Sequence, residues 1–146
     1  MQSAGLAQED AAFLQKAAQA NAAEAKISQS AQTRAVDPTV KAFADRMVED
    51  HTASNRKLEA LAKRKGLSVA TEPDSEHVMR IGSLQNLEGP AFDRAYAELM
   101  IEDHRALVQL YEAAARDAHD ADVSRFARKT LPMLREHVRT VQAWPH

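Results

Sequence analysis

Four ionisable side chains occupy positions where the surrounding sequence pattern is apolar. They are Glu24, His51, His104 and His137, and Asp103 stands beside His104 at the edge of the same helical face. Each of the four has apolar or small residues three or four positions away on both sides, which is the spacing of one face of an α-helix. The pattern predicts that each of four helices turns an ionisable group towards a common core.

The heights of these groups along their helices also match. Each residue of an α-helix rises about 1.5 Å, so residue counts from a turn give heights. Counted from the first predicted turn at residue 37, Glu24 lies 13 residues back and His51 lies 14 forward. Counted from the second at residue 120, His104 lies 16 back and His137 lies 17 forward. We therefore expect the four groups to converge on one layer of the core.

Burial of several ionisable groups is costly unless they are paired or bind a metal. The chain contains no cysteine, so any site has nitrogen and oxygen ligands only. Such ligands suit zinc, iron, copper or manganese. The pattern predicts a single transition-metal ion bound by Glu24, His51, His104 and His137, with Asp103 as a further ligand or a neighbour of one. The alternative is an ion-paired or neutral polar layer that sets the register of the helices and binds nothing.

The composition favours helices as the elements that position these groups. The 146 residues include only four glycines and five prolines, and the long stretches between them are rich in helix formers. The sequence predicts an all-α fold with main helices over about 8–35, 38–65, 91–118 and 121–143. A shorter helix is expected over 76–87, and Pro132 should kink the last helix or remove one of its backbone hydrogen bonds.

The two halves of the chain repeat each other. Val40 and Phe43 open the second predicted helix as Val123 and Phe126 open the last one. Short turns make neighbouring helices antiparallel, whereas the long connection over 67–90 permits a crossover. We expect one domain over residues 1–146, with a flexible segment at 1–8, in which two helical hairpins form a four-helix bundle. The apolar face of the short helix would cover the bundle or serve a homodimer.

Charge and hydropathy exclude several classes of protein. The 19 basic and 21 acidic residues are interspersed and give a net charge of −2, which disfavours binding of nucleic acid. No stretch approaches the roughly 20 apolar residues of a membrane span, so no transmembrane segment is expected. The first nine residues lack the pattern of a signal peptide, so either there is none or it has been removed.

Other polar residues invite simpler interpretations. His77, His119 and His146 fall in a connection, a turn and the C-terminus, where exposure to solvent is expected. Asp50 is adjacent in sequence to His51, and Glu136 to His137, but both are expected on a solvated face. The methionines that stand four residues before His51, His104 and His137 are expected to pack in the core, because methionine commonly fills gaps there.

These residues together resemble the bacterial DUF4142 family over about residues 10–143. The matching stretches are 43–51 (FADRMVEDH), 92–96 (FDRAY), 100–104 (MIEDH) and 130–132 (TLP), together with Phe13, Leu14, Glu24 and His137. The resemblance implies a ferritin-like four-helix bundle and, in many members, export to the periplasm or cell envelope. It implies no activity, and its matching site positions are Glu24, His51, Asp103, His104 and His137.

The chain departs from ferritin-like di-iron proteins, which use Glu-x-x-His pairs on two helices. Val48 stands three residues before His51, and Leu134 stands three before His137. This departure favours a single histidine-rich centre in an exported metal-binding bundle. Two alternatives are a metal-dependent oxidase or peroxide-detoxifying enzyme, and a non-enzymatic interaction bundle with an inert polar layer.

Overall fold

The computed structural model describes residues 5–144, which form five α-helices and no strand. The helices are α1 (Gln8–Arg34), α2 (Pro38–Arg64), α3 (Ser75–Leu84), α4 (Gly89–Asp117) and α5 (Ala121–Gln142). The predicted all-α fold is confirmed. The main helices agree with the prediction to within two residues, and the short helix ends three residues earlier than expected.

Side-chain caps define the starts of α2 and α5. Asp37 accepts a hydrogen bond of 2.8 Å from the backbone N–H of Thr39, and Pro38 takes the first helical position. Asp120 does the same for α5, accepting bonds from the N–H groups of Asp122 and Val123. These caps fix both short turns, so α1 and α2 form one antiparallel hairpin and α4 and α5 form the other.

Each hairpin also caps the turn of the other. Asp10, at the start of α1, accepts bonds of 3.1 and 2.7 Å from the backbone N–H groups of His119 and Asp120. Asp93, near the start of α4, binds the N–H groups of residues 36 and 37 in the same way. Asp10 and Asp93 are 83 residues apart, as are Asp37 and Asp120. The two hairpins are therefore equivalent with a constant offset of 83 residues.

The reciprocal caps also define the topology. They place the start of α1 beside the end of α4, so these two helices are antiparallel neighbours. Consequently α2 and α4 run in the same direction, and the long connection that contains α3 crosses the length of the bundle between them. Arg34 fastens the end of α3 by donating hydrogen bonds to the carbonyl oxygens of Leu84, Gln85 and Leu87.

The apolar core is divided into two clusters. One contains Phe13, Leu58 and Tyr111, and the other contains Phe43 and Tyr96 among its aromatic members. The buried polar residues Asn21, Glu24, His51, Asp103, His104 and His137 are contributed by the four main helices. In each main helix these residues lie between segments that belong to different apolar clusters, so they form a polar layer across the middle of the bundle.

Three smaller expectations have mixed outcomes. Met47 and Met100 are fully buried in the apolar core, as predicted, whereas Met133 is only partly buried and packs against it. The helix α5 runs on through Pro132, which lacks the N–H that an interior helical residue would donate. Of the segment predicted to be flexible, residues 1–4 lie outside the described part of the chain, and Leu6 packs against the core.

Candidate metal centre

Three imidazole rings meet in the polar layer. His51 comes from α2, His104 from α4 and His137 from α5, and none is more than 1% exposed. Their ring centroids form a nearly equilateral triangle with sides of 5.1, 5.2 and 5.4 Å. His104 Nε2 lies 3.1 Å from His51 Nε2 and 3.2 Å from His137 Nδ1. We call these three residues the histidine triad.

The outer nitrogen of His51 has a defined partner. His51 Nδ1 lies 2.9 Å from Oδ1 of Asn21 on α1. The amide nitrogen of Asn21 donates to Asn55 Oδ1 at 3.3 Å, which orients the amide with its oxygen towards the ring. His51 Nδ1 therefore carries a proton and donates it to Asn21, and in the neutral ring Nε2 is left with a lone pair.

The other two rings are oriented in the same sense. His104 Nδ1 donates to the carbonyl oxygen of Met100 at 2.9 Å. His137 Nε2 donates to the carboxylate of Asp50 at 2.8 Å. The inner nitrogens, His104 Nε2 and His137 Nδ1, are then lone-pair acceptors in the neutral rings. Histidines that bind metals are characteristically held this way, with the second nitrogen donating to a carbonyl or carboxylate oxygen.

The surroundings keep the triad neutral. Burial, followed by the neighbouring imidazoles, lowers the pKa of His51 well below its usual value. The same causes lower the pKa of His104 to about 4. Burial also lowers the pKa of His137, although its bond to Asp50 acts in the opposite direction. Near neutral pH three lone pairs therefore face one another, an arrangement that a central cation would stabilise.

The distances suit a transition metal. Two imidazole nitrogens about 2.0–2.1 Å from a zinc ion at tetrahedral angles lie roughly 3.3 Å apart. The observed separations of 3.1 and 3.2 Å are close to this value. A groove of about 360 Å³ between α2 and α5 is lined by Asp50, Ser54 and Lys129, and so reaches the carboxylate that holds His137. The groove thus ends beside the side chain that orients His137, and the triad itself does not line it.

The remaining two predicted ligands lie in a second cluster. Glu24 on α1 and Asp103 on α4 meet His77 on α3, with one ligand atom of each within 4.8 Å of the others. Arg80 donates to Asp103 Oδ1 at 2.7 Å, and His77 Nε2 lies 3.5 Å from Asp103 Oδ2. His77 Nδ1 pairs with Asp74 Oδ1, the N-cap of α3, at 3.0 Å. We call Glu24, His77 and Asp103 the carboxylate cluster.

Charge is distributed unevenly in the carboxylate cluster. Burial, followed by the nearby Asp103, raises the pKa of Glu24 well above its usual value. Although burial acts in the opposite direction, the proximity of His77, Glu24 and Arg80 holds the pKa of Asp103 below its usual value. The bond to Asp103 raises the pKa of His77 to about 9. Without a bound cation, Asp103 is the ionised carboxylate of the cluster and Glu24 is neutral.

The structure thus divides the five residues predicted for one site. It brings His51, His104 and His137 together, and it places Glu24 and Asp103 with His77 instead. The expectation that His77 is solvent-exposed is wrong, because α3 folds over the bundle and leaves only 17% of this side chain accessible. His119 is exposed as predicted, and His146 lies outside the described residues.

Two residues that orient the triad were not predicted to do so. Asp50 was expected on a solvated face, but its carboxylate binds His137. Asn21 carried no prediction, although a buried amide in an apolar pattern is the kind of signal that identified Glu24. Glu136 is partly exposed and pairs with Arg139 at 3.3 Å, in agreement with a solvated position.

One protein-family model matches almost the whole chain. The family described as "Domain of unknown function (DUF4142)" matches residues 1–144. The chain belongs to the DUF4142 family. The resemblance seen in the sequence is therefore confirmed, and no curated protein matches this DUF4142 chain.

Two solved structures share the fold of this DUF4142 protein. A DUF305 fragment from Deinococcus radiodurans aligns with a TM-score of 0.83 and 22% identity, over 94% of this chain and 95% of that one. The "putative secreted protein DUF305" from Streptomyces coelicolor aligns with a TM-score of 0.77 and 17% identity, over 91% and 89% of the two chains. In the part of the DUF4142 chain that the structure describes, no helix is long and apolar enough to cross a membrane.

Proposed function

We propose that this protein is an exported metal-binding bundle that holds one transition-metal ion at the histidine triad. The observation that carries the proposal is the orientation of the three rings. Each outer nitrogen donates to an oxygen of the protein, so each inner nitrogen presents a lone pair to a common centre. In an inert polar layer, rings that donated hydrogen bonds to one another would be more stable than rings whose lone pairs face a common centre.

The donor set narrows the choice of metal. Imidazole nitrogen suits zinc, copper, iron and nickel, whereas manganese prefers carboxylate and water. Among the metals predicted from the sequence, zinc, copper and iron therefore fit the triad better than manganese. Three protein nitrogens leave a coordination position for water or a small ligand, as in catalytic rather than structural zinc sites.

Export is part of the same proposal. Many relatives that the sequence resembles carry an export signal, and the name of the Streptomyces neighbour points the same way. A ferritin-like origin is proposed on the same basis, because two helical hairpins joined by a long crossover have the connectivity of that group. The triad differs from a di-iron site in its lack of carboxylate ligands.

Metal analysis of protein purified without chelator tests the proposal. We expect about one equivalent of metal, lost from His51→Ala and His137→Ala and retained by the control His119→Ala, whose side chain is exposed. Stripping the ion should lower the melting temperature of the wild type, and reloading at neutral pH should restore it. If the triad neither retains nor rebinds metal, the proposal fails and the polar-layer alternative stands.

Replacement of the triad by apolar residues separates the two interpretations further. An inert layer would tolerate His51→Leu together with His137→Leu and become equally or more stable. A metal centre would instead lose its metal-dependent stabilisation. A redox-active ion that cycles in the loaded protein would extend the function to an oxidase, and exclusive loading by zinc would contradict that extension.

A further inference from the structure

The geometry points to a second cation site, separate from the triad, in which Glu24, His77 and Asp103 bind a divalent metal ion. Its donor set is two carboxylates and one imidazole, contributed by α1, α4 and α3. Such a mixed oxygen and nitrogen set suits harder divalent ions, such as manganese, better than a purely nitrogen site does. The two sites would therefore select different metals.

The first observation is the state of Glu24. Its side chain is fully buried, and neither carboxyl oxygen has a hydrogen-bond partner among residues 5–144. Buried polar atoms in native proteins are satisfied in about nine cases of ten. Two such atoms on one side chain, facing another carboxylate, indicate a missing partner that both oxygens can bind.

The second observation is the way Asp103 is held. Its Oδ1 accepts the 2.7 Å bond from Arg80, whereas its buried Oδ2 is without a hydrogen-bond partner in the described part of the chain. One oxygen is thus fixed, and the other remains open towards Glu24 and His77. A side chain anchored by one oxygen and free at the other is well placed to act as a monodentate ligand.

The third observation is the orientation of His77. Its Nδ1 is bound by Asp74 at 3.0 Å, and its Nε2 faces Asp103. As in the triad, the outer nitrogen is held by an oxygen of the protein. A bound ion would replace the proton that His77 Nε2 directs towards Asp103 in the metal-free protein. The three ligand atoms lie within 4.8 Å of one another. Ligands about 2.1 Å from one ion lie up to about 4.2 Å apart, so small side-chain adjustments suffice.

Electrostatics support a cation between these groups. Two buried carboxylates side by side repel each other unless a proton or a cation lies between them. A divalent ion neutralises both at once, and Arg80 remains on the outer oxygen of Asp103. The helix α3 supplies His77 and Arg80 together, so the crossing connection would close the site from solvent.

Cobalt(II) is the probe, because its absorption spectrum reports its ligands. Equilibrium dialysis with metal analysis should find two ions bound to the wild type and one to the double variant His51→Ala/His137→Ala. Glu24→Gln, which keeps the shape of the side chain, should also bind one, and the triple variant should bind none. Glu102→Gln is the matched control, since this exposed neighbour also contacts Arg80 but lies outside the cluster.

The outcomes distinguish this inference from the proposed function. One ion in the wild type, retained with the same affinity and spectrum by Glu24→Gln, overturns the second site and leaves the triad intact. One ion in the wild type that survives in the double histidine variant supports the second site and overturns the triad. His77→Gln supplies a further variant at a partly exposed position, and at least a tenfold loss of affinity in the triad-free background is expected.

Discussion

Substitution of Asn21 tests whether the inner nitrogens of the triad carry lone pairs, because Asn21 binds His51 without being a proposed ligand. In the wild type its oxygen accepts the proton of His51 Nδ1 at 2.9 Å. In Asn21→Leu this acceptor is absent, so the proton of His51 moves to Nε2 and is donated to His104 in the metal-free protein. Metal binding then requires the proton to return to Nδ1, where it has no acceptor.

The expected loss of metal affinity follows from the cost of leaving the His51 Nδ1 proton without an acceptor. A buried donor left without a partner costs about 1–3 kcal/mol. This corresponds to a loss of metal affinity of roughly 5- to 150-fold, since about 1.4 kcal/mol is a factor of ten. The range agrees with the roughly 10–100-fold losses that follow removal of groups that orient metal ligands.

Competition of the protein with a chromophoric chelator for zinc measures this affinity. Ser28→Ala is the control on the same helix, because it removes the buried 2.7 Å hydrogen bond between Ser28 and the Tyr96 hydroxyl. We expect it to reduce stability by about 1 kcal/mol and to leave zinc affinity unchanged. An Asn21→Leu affinity within twofold of the wild type would refute the assignment of protons in the triad.

Three further predictions concern stability. Metal-free protein should lose the contribution of the triad to stability as the pH falls from 6.5, the usual pKa of histidine, towards the lowered value of about 4 for His104. Over that range the triad histidines take up protons in the unfolded chain and not in the folded one. Urea unfolding of the wild type and of His51→Leu/His137→Leu at several pH values checks the sign. Asp10→Ala and Asp93→Ala should each lower the free energy of unfolding by about 1–2 kcal/mol through loss of a cap, and a change below about 0.5 kcal/mol would contradict that role. Arg34→Ala should speed hydrogen exchange in α3, because this side chain binds the carbonyl oxygen of Leu84 and two more just beyond the helix, and stacks on Phe92 at 5.0 Å. Unchanged exchange would show that the connection is held by its apolar face.

The fold and the triad could be predicted because helical periodicity and turn residues are local properties. The N-caps at residues 37 and 120 set the origin from which the heights of His51 and His137 were counted. Glu24 was placed with them because its height matched. Height does not give the angle around the helix axis, however, and Asn21, three residues earlier, is the α1 residue that faces His51.

The carboxylate cluster could not be predicted for a different reason. His77 lies in the connection between the hairpins, and its burial depends on how α3 packs across the bundle. That packing rests on contacts distant in sequence, such as the 23-residue separation between Arg80 and Asp103. The local pattern indicated a short helix in this connection without indicating which of its faces would be covered.

The offset of 83 residues between the hairpins has a consequence for how many nitrogen sites the bundle can hold. Applied to the triad, the offset relates its histidines to Leu134, Asn21 and Ser54. The two hairpins are thus related by a twofold axis, but the positions related to the triad hold no histidine. The sequence difference between the hairpins therefore decides where an imidazole site forms. Histidines at the related positions would replace Asn21, the acceptor that orients His51. The symmetry that offers a second, twofold-related triad therefore also makes the two triads mutually exclusive.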